Sequence, residues 1–245
     1  MNPIIQSLFD RKSCRIFKDK EISQEERKLI LEACMQAPSA GNQQMYTIID
    51  VQDQKLQETL SKTCDNQSFI NQAKMVLIFC ADFQKWYDLF NHENCNPRKP
   101  GVGDLLLATT DATIAAQNAV VAAESLGIGS CYIGDILEQH DLHRKLLNLS
   151  EYVVPVCMLV LGYPASDHFK RQKPERCKLE DIICVDQYHR KDKQELKNMF
   201  EHKAVNKTLN EWATAFCNRK YNSDFSKEMT NSVQKYIDQF KSEAD

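Results

Sequence analysis

Between Gly103 and Gly134 the chain reads GDLLLATTDATIAAQNAVVAAESLGIGSCYIG, and no other stretch limits the possible folds as strongly. From Leu105 to Leu126 there is no glycine, no proline and only two charges, Asp111 and Glu124. That makes about 33 Å of helix at the standard rise, enough to cross a domain. Alanines 108, 112, 115, 116, 119, 122 and 123 recur at helical spacing, giving a narrow face on which another backbone can come close. Leu106, Thr113, Val120 and Val121 make much of the remainder apolar and predict burial on most sides. Asp111, Gln117, Asn118 and Glu124 interrupt the run before it reaches the roughly 18 apolar residues of a membrane span. Gly127 occupies the C-cap place, and Ser130 to Ile133 reads as a short strand.

Nothing in the 245 residues looks like a linker, so one domain over 1–245 is expected, with residues 190–245 as a helical C-terminal extension. A net charge of −3 argues against a nucleic-acid or anionic-membrane partner. Ten cysteines are many, but Cys80 and Cys157 lie inside apolar runs where a thiol acts as a small hydrophobe. No CxxC occurs and no cysteine pairs with a histidine at zinc spacing, so no metal site is expected. The lone HDLH at 140–143 reads as the surface of a polar helix. Met1 to Arg11 is too short and too soon charged for a signal peptide, which points to a reducing, cytoplasmic setting.

In chain order, Asn2-Pro3 opens a helix that delivers Arg11-Lys12-Ser13-Cys14-Arg15. Ser23 and Glu26 form a capping box for a helix stopped by Pro38. Tyr46 to Val51, Met75 to Ala81 and Val153 to Leu161 read as strands, with Pro155 marking an edge or a bulge. Lys55 to Thr63 and Leu137 to Leu147 read as helices, Asn91 to Gly103 as an irregular, mobile loop, and Leu179 to Val185 as extended. From Asp192 the chain is expected to be helical. Phe225, Met229, Val233, Ile237 and Phe240 give the last helix an apolar stripe, suited to embracing a neighbour.

The cluster Arg11, Lys12, Ser13 and Arg15 suits either a phosphate or a solvated charge run. Gly127-x-Gly129 lies between a helix and a strand, the reverse of a dinucleotide fingerprint. No P-loop, HExxH or GxSxG occurs, and no triad is readable, so no catalytic side chain is assigned.

Together the motifs resemble the FMN-dependent nitroreductase family, nearest its NADPH-preferring flavin reductase and nitroreductase branch. The residues that carry the likeness are R-K-S-x-R at Arg11 to Arg15 and A-P-S-x-x-N-x-Q at Ala37 to Gln44. The A-A-Q-N-A-x-x-A-A-E-S-L-G helix with Y-I-G after it, and K-P-x-R at Lys173 to Arg176, complete it. The resemblance implies an α+β fold, with a central, mostly antiparallel sheet flanked by helices, a long buried central helix and a C-terminal helical arm. It also implies a homodimer with FMN sites at the interface. Arg11, Lys12, Ser13 and Arg15 would hold the flavin phosphate, with Lys173 and Arg176. Gln67 would face the pyrimidine edge, and Tyr132, Ile133 and Gly134 would run past the ring. Pro38, Ser39 and Asn42 would reach in from the partner subunit. Arg219 and Lys220, placed in a mobile C-terminal loop, would meet the 2′-phosphate of NADPH. Three departures from the pattern stand out: Asp135 where relatives often have glycine, Arg176 one place late with Glu175 before it, and Gln44-Met45 in place of Pro-Trp. The implied activity carries a hydride from NADPH through bound FMN to a nitroaromatic, free flavin or quinone. The alternative is a flavin-binding electron carrier without turnover of its own.

Overall fold

The computed structural model describes residues 1–241. These cluster into two compact units, Met1–Gln172 with the chain from Met229 on, and Lys173–Glu228. The first contains α1 (Pro3–Asp10), α2 (Gln24–Met35), β1 (Tyr46–Val51), α3 (Gln54–Thr63), α4 (Ser68–Gln72), β2 (Met75–Asp82) and α5 (Gln84–His92). It continues with α6 (Val102–Ser125), β3 (Gly129–Ile133), α7 (His140–Leu147), β4 (Val153–Gly162) and α8 (Ser166–Lys170). The second unit contains α9 (Leu179–Ile182), α10 (Lys193–Phe200) and α11 (Leu209–Lys220). The last helix, α12 (Asp224–Asp238), begins in the second unit and returns to the first.

The four strands form one antiparallel sheet in the order β1-β2-β4-β3. Every residue of β2 is buried, because both sheet faces are covered and the strand can alternate apolar side chains to either side. Met75, Leu77 and Phe79 point into a core with Ile30 and Cys34 of α2 and the alanines of α6. Val76, Ile78 and Cys80 point the other way, to Leu60 of α3 and Ile70 of α4. The register shifts by one residue where Phe79 pairs with Cys157 and Cys80 with Pro155. Pro155 has no N–H to give, and the bulge at Val156 admits it into a central strand.

The alanine face of α6 therefore meets α2 and the sheet of its own chain, which corrects the expectation of burial on most sides. Leu106 and Leu107 are 63% and 50% exposed. By length and mean hydropathy this helix could cross a membrane, but here it is the core helix of a layered domain. Of the C-terminal stripe, Phe240 is buried and Ile237 half-buried; with Tyr236 beside them they pack against Met45, Leu105, Tyr152 and Val154, while Phe225, Met229 and Val233 stay half-buried.

Several local expectations change. His140 and His143 are buried, not superficial; His143 bonds the Ile136 carbonyl and the Thr63 hydroxyl at 3.0 and 2.9 Å. Leu179 to Ile182 is a helical turn, capped through Asp181, rather than extended chain. The irregular stretch before α6 is shorter than expected, and Arg98 forks onto Asp104 at 2.6 and 2.9 Å. Asp104 in turn accepts the Gly101 N–H at 2.8 Å, and the Arg98 guanidinium holds its carboxyl below the usual range.

Candidate functional site

The basic segment after α1 is laid along the end of the sheet by main-chain bonds. Cys14 N–H donates to the Ser130 carbonyl at 2.8 Å, Lys18 N–H to Tyr163 at 2.7 Å, and Ala165 N–H to Ile16 at 2.9 Å. Two glycines permit this. A Cβ on Gly129 would sit 2.8 Å from the Cβ of Cys14, and one on Gly162 would sit 2.7 Å from Cδ1 of Phe17. Neither glycine is needed for a turn here; both leave room for a crossing backbone.

Anchoring residues 14–18 fixes where the cations before them point. The Arg11 guanidinium lies 5.7 Å from the centroid of the Tyr132 ring on β3. Its Nε and Nη2 are buried and have no hydrogen-bond partner. Glu124 at the end of α6 feels its charge: burial pushes the carboxyl up and Arg11 draws it partly back. Arg15 is exposed and stands 5.7 Å over Phe69 of α4. The Ser13 hydroxyl bonds the Cys131 thiol. Lys12 is turned to the carbonyls of Phe169 and Arg171. Beside it His168 is buried with Nδ1 unpaired, its pKa lowered by burial and then by the Lys12 and Arg171 charges. The patch is cationic, and Arg11 has donors to spare.

On its far side Gln67 caps α4. Its amide nitrogen donates to the Cys64 carbonyl at 2.9 Å and to Oδ2 of Asp135 at 3.0 Å. Asp135 follows Gly134 directly after β3, so the YIG strand end and Gln67 are tied together. Ile133 is buried, Tyr132 half-buried and Gly134 exposed. Burial pushes the Tyr132 phenol up, and its hydroxyl donates to Oε1 of Gln117 at 3.3 Å. Thr113, Ile114, Gln117, Asn118 and Tyr132 line a hollow of about 500 Å³. A hollow of about 570 Å³ between α2 and β1 contains none of these cations.

Pro38, Ser39 and Asn42 occupy a separate loop. The Ser39 hydroxyl accepts the Gln44 N–H at 3.0 Å. Asp111, buried on α6, accepts the N–H groups of Ala40 at 3.1 Å and Met45 at 3.2 Å. It fixes both ends of the loop to the core helix. From Asp111 to Glu124 is about 20 Å along the helix axis, so the loop and the Arg11 patch are anchored at different levels of α6.

Lys173 and Arg176 belong to the second unit, the first half-buried and the second exposed. Arg219 and Lys220 are there too, in the last turn of α11 rather than in a loop. Their cations lie 5.6 Å from the Phe216 ring and 5.8 Å from the Phe225 ring. Sequence reading noted Asp111 and Gly129 without these roles, and it missed the roles of Gly162 and the Asp135 contact. Asp111 did leave a trace, as one of two charges in an otherwise uncharged helix.

Three thiols of the first unit add no reactivity. Cys34, Cys64 and Cys157 are pushed up to about 12 by burial, well away from thiolate at neutral pH.

This geometry coincides with a family match. The model of the Nitroreductase family matches residues 8–163, from the end of α1 through β4. The chain belongs to the nitroreductase family. Among relatives, the FMN reductase [NAD(P)H] of Bacillus subtilis (strain 168) is 38% identical, over 71% of this chain and 70% of its own. The NADPH-flavin oxidoreductase of Vibrio harveyi is 28% identical over 95% of this chain and 92% of its own. Among solved structures, NfrA2 of B. megaterium superposes with a TM-score of 0.85 at 32% identity, covering 99% of this chain and 100% of that one. That structure thus shares the fold seen here.

Proposed function

We infer that this chain is an FMN-dependent oxidoreductase that uses NADPH to reduce a small acceptor such as a nitroaromatic, a free flavin or a quinone. The observation that carries the reading is Arg11: two buried guanidinium nitrogens without partners, at the edge of a cationic patch, are what a phosphate monoester satisfies. Family membership and the relatives' names support it. The chemistry of hydride acceptance and release belongs to FMN when bound.

The residues bind and orient. Arg11, Ser13 and Arg15, with Lys12 behind them, are assigned to the phosphate. Tyr132, Ile133 and Gly134 border the ring, and Gln67 takes its pyrimidine edge. By the family resemblance alone, Lys173 and Arg176 are assigned to the flavin phosphate, and Arg219 and Lys220 to the 2′-phosphate of NADPH. The functional domain is taken as residues 1–245, with 190–245 as its helical extension, acting in the cytoplasm on small molecules rather than on nucleic acid or membrane.

A homodimer completes the reading. Ile4 and Phe9 of α1 are 65% and 64% exposed, and Leu106 and Leu107 stand out on the helix that α1 packs against. Such an apolar face calls for a second copy. Pro38, Ser39 and Asn42, held away from the Arg11 patch of their own chain, are then free to complete the partner's site.

The test is direct. The purified protein should be yellow with one FMN per chain, and NADPH should bleach it anaerobically faster than NADH. Arg11→Ala should weaken FMN about ten- to hundredfold, the loss of charge-assisted bonds worth about 1.5–3 kcal/mol. A colourless protein that takes up no FMN overturns the reading. Bound flavin that NADPH does not reduce favours the electron carrier instead.

A further inference from the structure

We propose that Asp135 is a positioning residue that makes the Gln67 edge of the site an acceptor-only edge, selecting a flavin by its N3–H. This rests on the FMN reading above. Both neighbours of the Gln67 amide nitrogen are acceptors: the Cys64 carbonyl at 2.9 Å and the Asp135 carboxylate at 3.0 Å. A primary amide has two N–H donors and one carbonyl. Both donors are spent, and turning the amide over would set its oxygen against two other oxygens. Oε1 alone remains for a ligand, and it can only accept.

Asp135 reinforces this. An ionised carboxylate offers no donor, and only its Oδ2 is engaged with Gln67. Gly134 and Asp135 lead out of β3 into a short 3-10 turn, Asp135–Leu137, so the carboxylate is set by the strand end that would border the ring. A glycine at 135 would leave the Gln67 amide one fixed partner and freedom to turn. The isoalloxazine edge alternates acceptors with a single N–H at N3. An acceptor-only protein edge therefore matches N3–H and repels the flanking carbonyl oxygens, fixing the ring's register as well as its identity. Sites that bond a ligand's N–H reject analogues lacking it far more strongly than apolar pockets reject a methyl group.

The experiment compares FMN with N3-methyl-FMN, binding each to apoprotein by fluorescence quenching. Wild type should bind FMN at least a hundredfold more tightly than the N3-methyl analogue. Asp135→Ala should cut that selectivity at least tenfold, because the released amide can turn and donate. Asp135→Asn should keep most of it, since its Oδ1 can still accept from Gln67. Near-native melting temperatures in the apo variants would separate the effect from unfolding. Selectivity unchanged in Asp135→Ala, with FMN still bound by wild type, overturns the inference alone. Wild type binding neither flavin overturns the FMN reading and this inference together.

Discussion

Asp111 shows how much one buried carboxylate can organise. It is 2% exposed and accepts two main-chain N–H bonds from a loop that carries three candidate site residues. Removing the carboxylate strands both donors in the core, and each buried unpaired donor costs about 1–3 kcal/mol. Asp111→Ala should therefore lower the unfolding free energy by roughly 2–6 kcal/mol, read from the urea midpoint. Asp111→Asn should cost less, because a carboxamide oxygen still accepts one of the two bonds. A midpoint unmoved by the alanine variant would show that the loop finds other partners. The same residue also explains a failure of reading. A charge in an apolar helix signals a fixed partner, but the partner lies far away in sequence and no periodicity points to it.

The elements differ in how openly the sequence declared them. Tyr46–Val51 and Met75–Asp82 came out as strands almost to the residue, because short runs rich in β-branched and apolar residues suit strands, although only the second is buried throughout. α6 was legible as a long helix, but which of its faces met what was not. Small residues permit close approach without naming the approaching backbone, and the sheet and α2 of the same chain took the alanines. Leu179–Ile182 was misread because a four-residue turn lies below the length at which periodicity discriminates. Gly129 was noticed only as half of a false fingerprint, whereas its role is to let residues 14–17 lie on the sheet. Gly129→Ala should push that segment outward, since its new Cβ would stand 2.8 Å from Cys14 and 2.9 Å from Pro164. The overpacking should cost about 1–3 kcal/mol, and FMN affinity should fall with it as Arg11 is displaced. Unaltered affinity, with the destabilisation present, would separate the glycine's structural role from the site.

In the assembled protein, the proposed dimer and the proposed cofactor are one equilibrium. If the loop held by Asp111 completes the partner's site, FMN binds the dimer better than the monomer and each stabilises the other. Light scattering with flavin absorbance over a dilution series should show dimer fraction and FMN occupancy falling together. Leu106→Glu, on the exposed face of α6, should move both curves to higher protein concentration while leaving the isolated chain folded. A monomer that retains its full FMN would place the site within one chain and remove the need for the partner's loop.

Local order was written plainly in the sequence: the capping box at Ser23 and Glu26, the three longer strands, and the helix from Val102 to Ser125. Each is set by neighbours a few residues apart, through hydrogen-bond geometry and hydrophobic period. The ordered set of weak motifs was also enough to carry the family resemblance. Contacts across the fold settled the rest: the inward turn of Tyr236 and Phe240, burial of His140 and His143, the hold of Asp111 on its loop, and the Asp135–Gln67 bond. Those pairings bring together residues tens of positions apart. Their partners are chosen by packing and by the need to satisfy every buried donor, neither of which leaves a local mark in the chain.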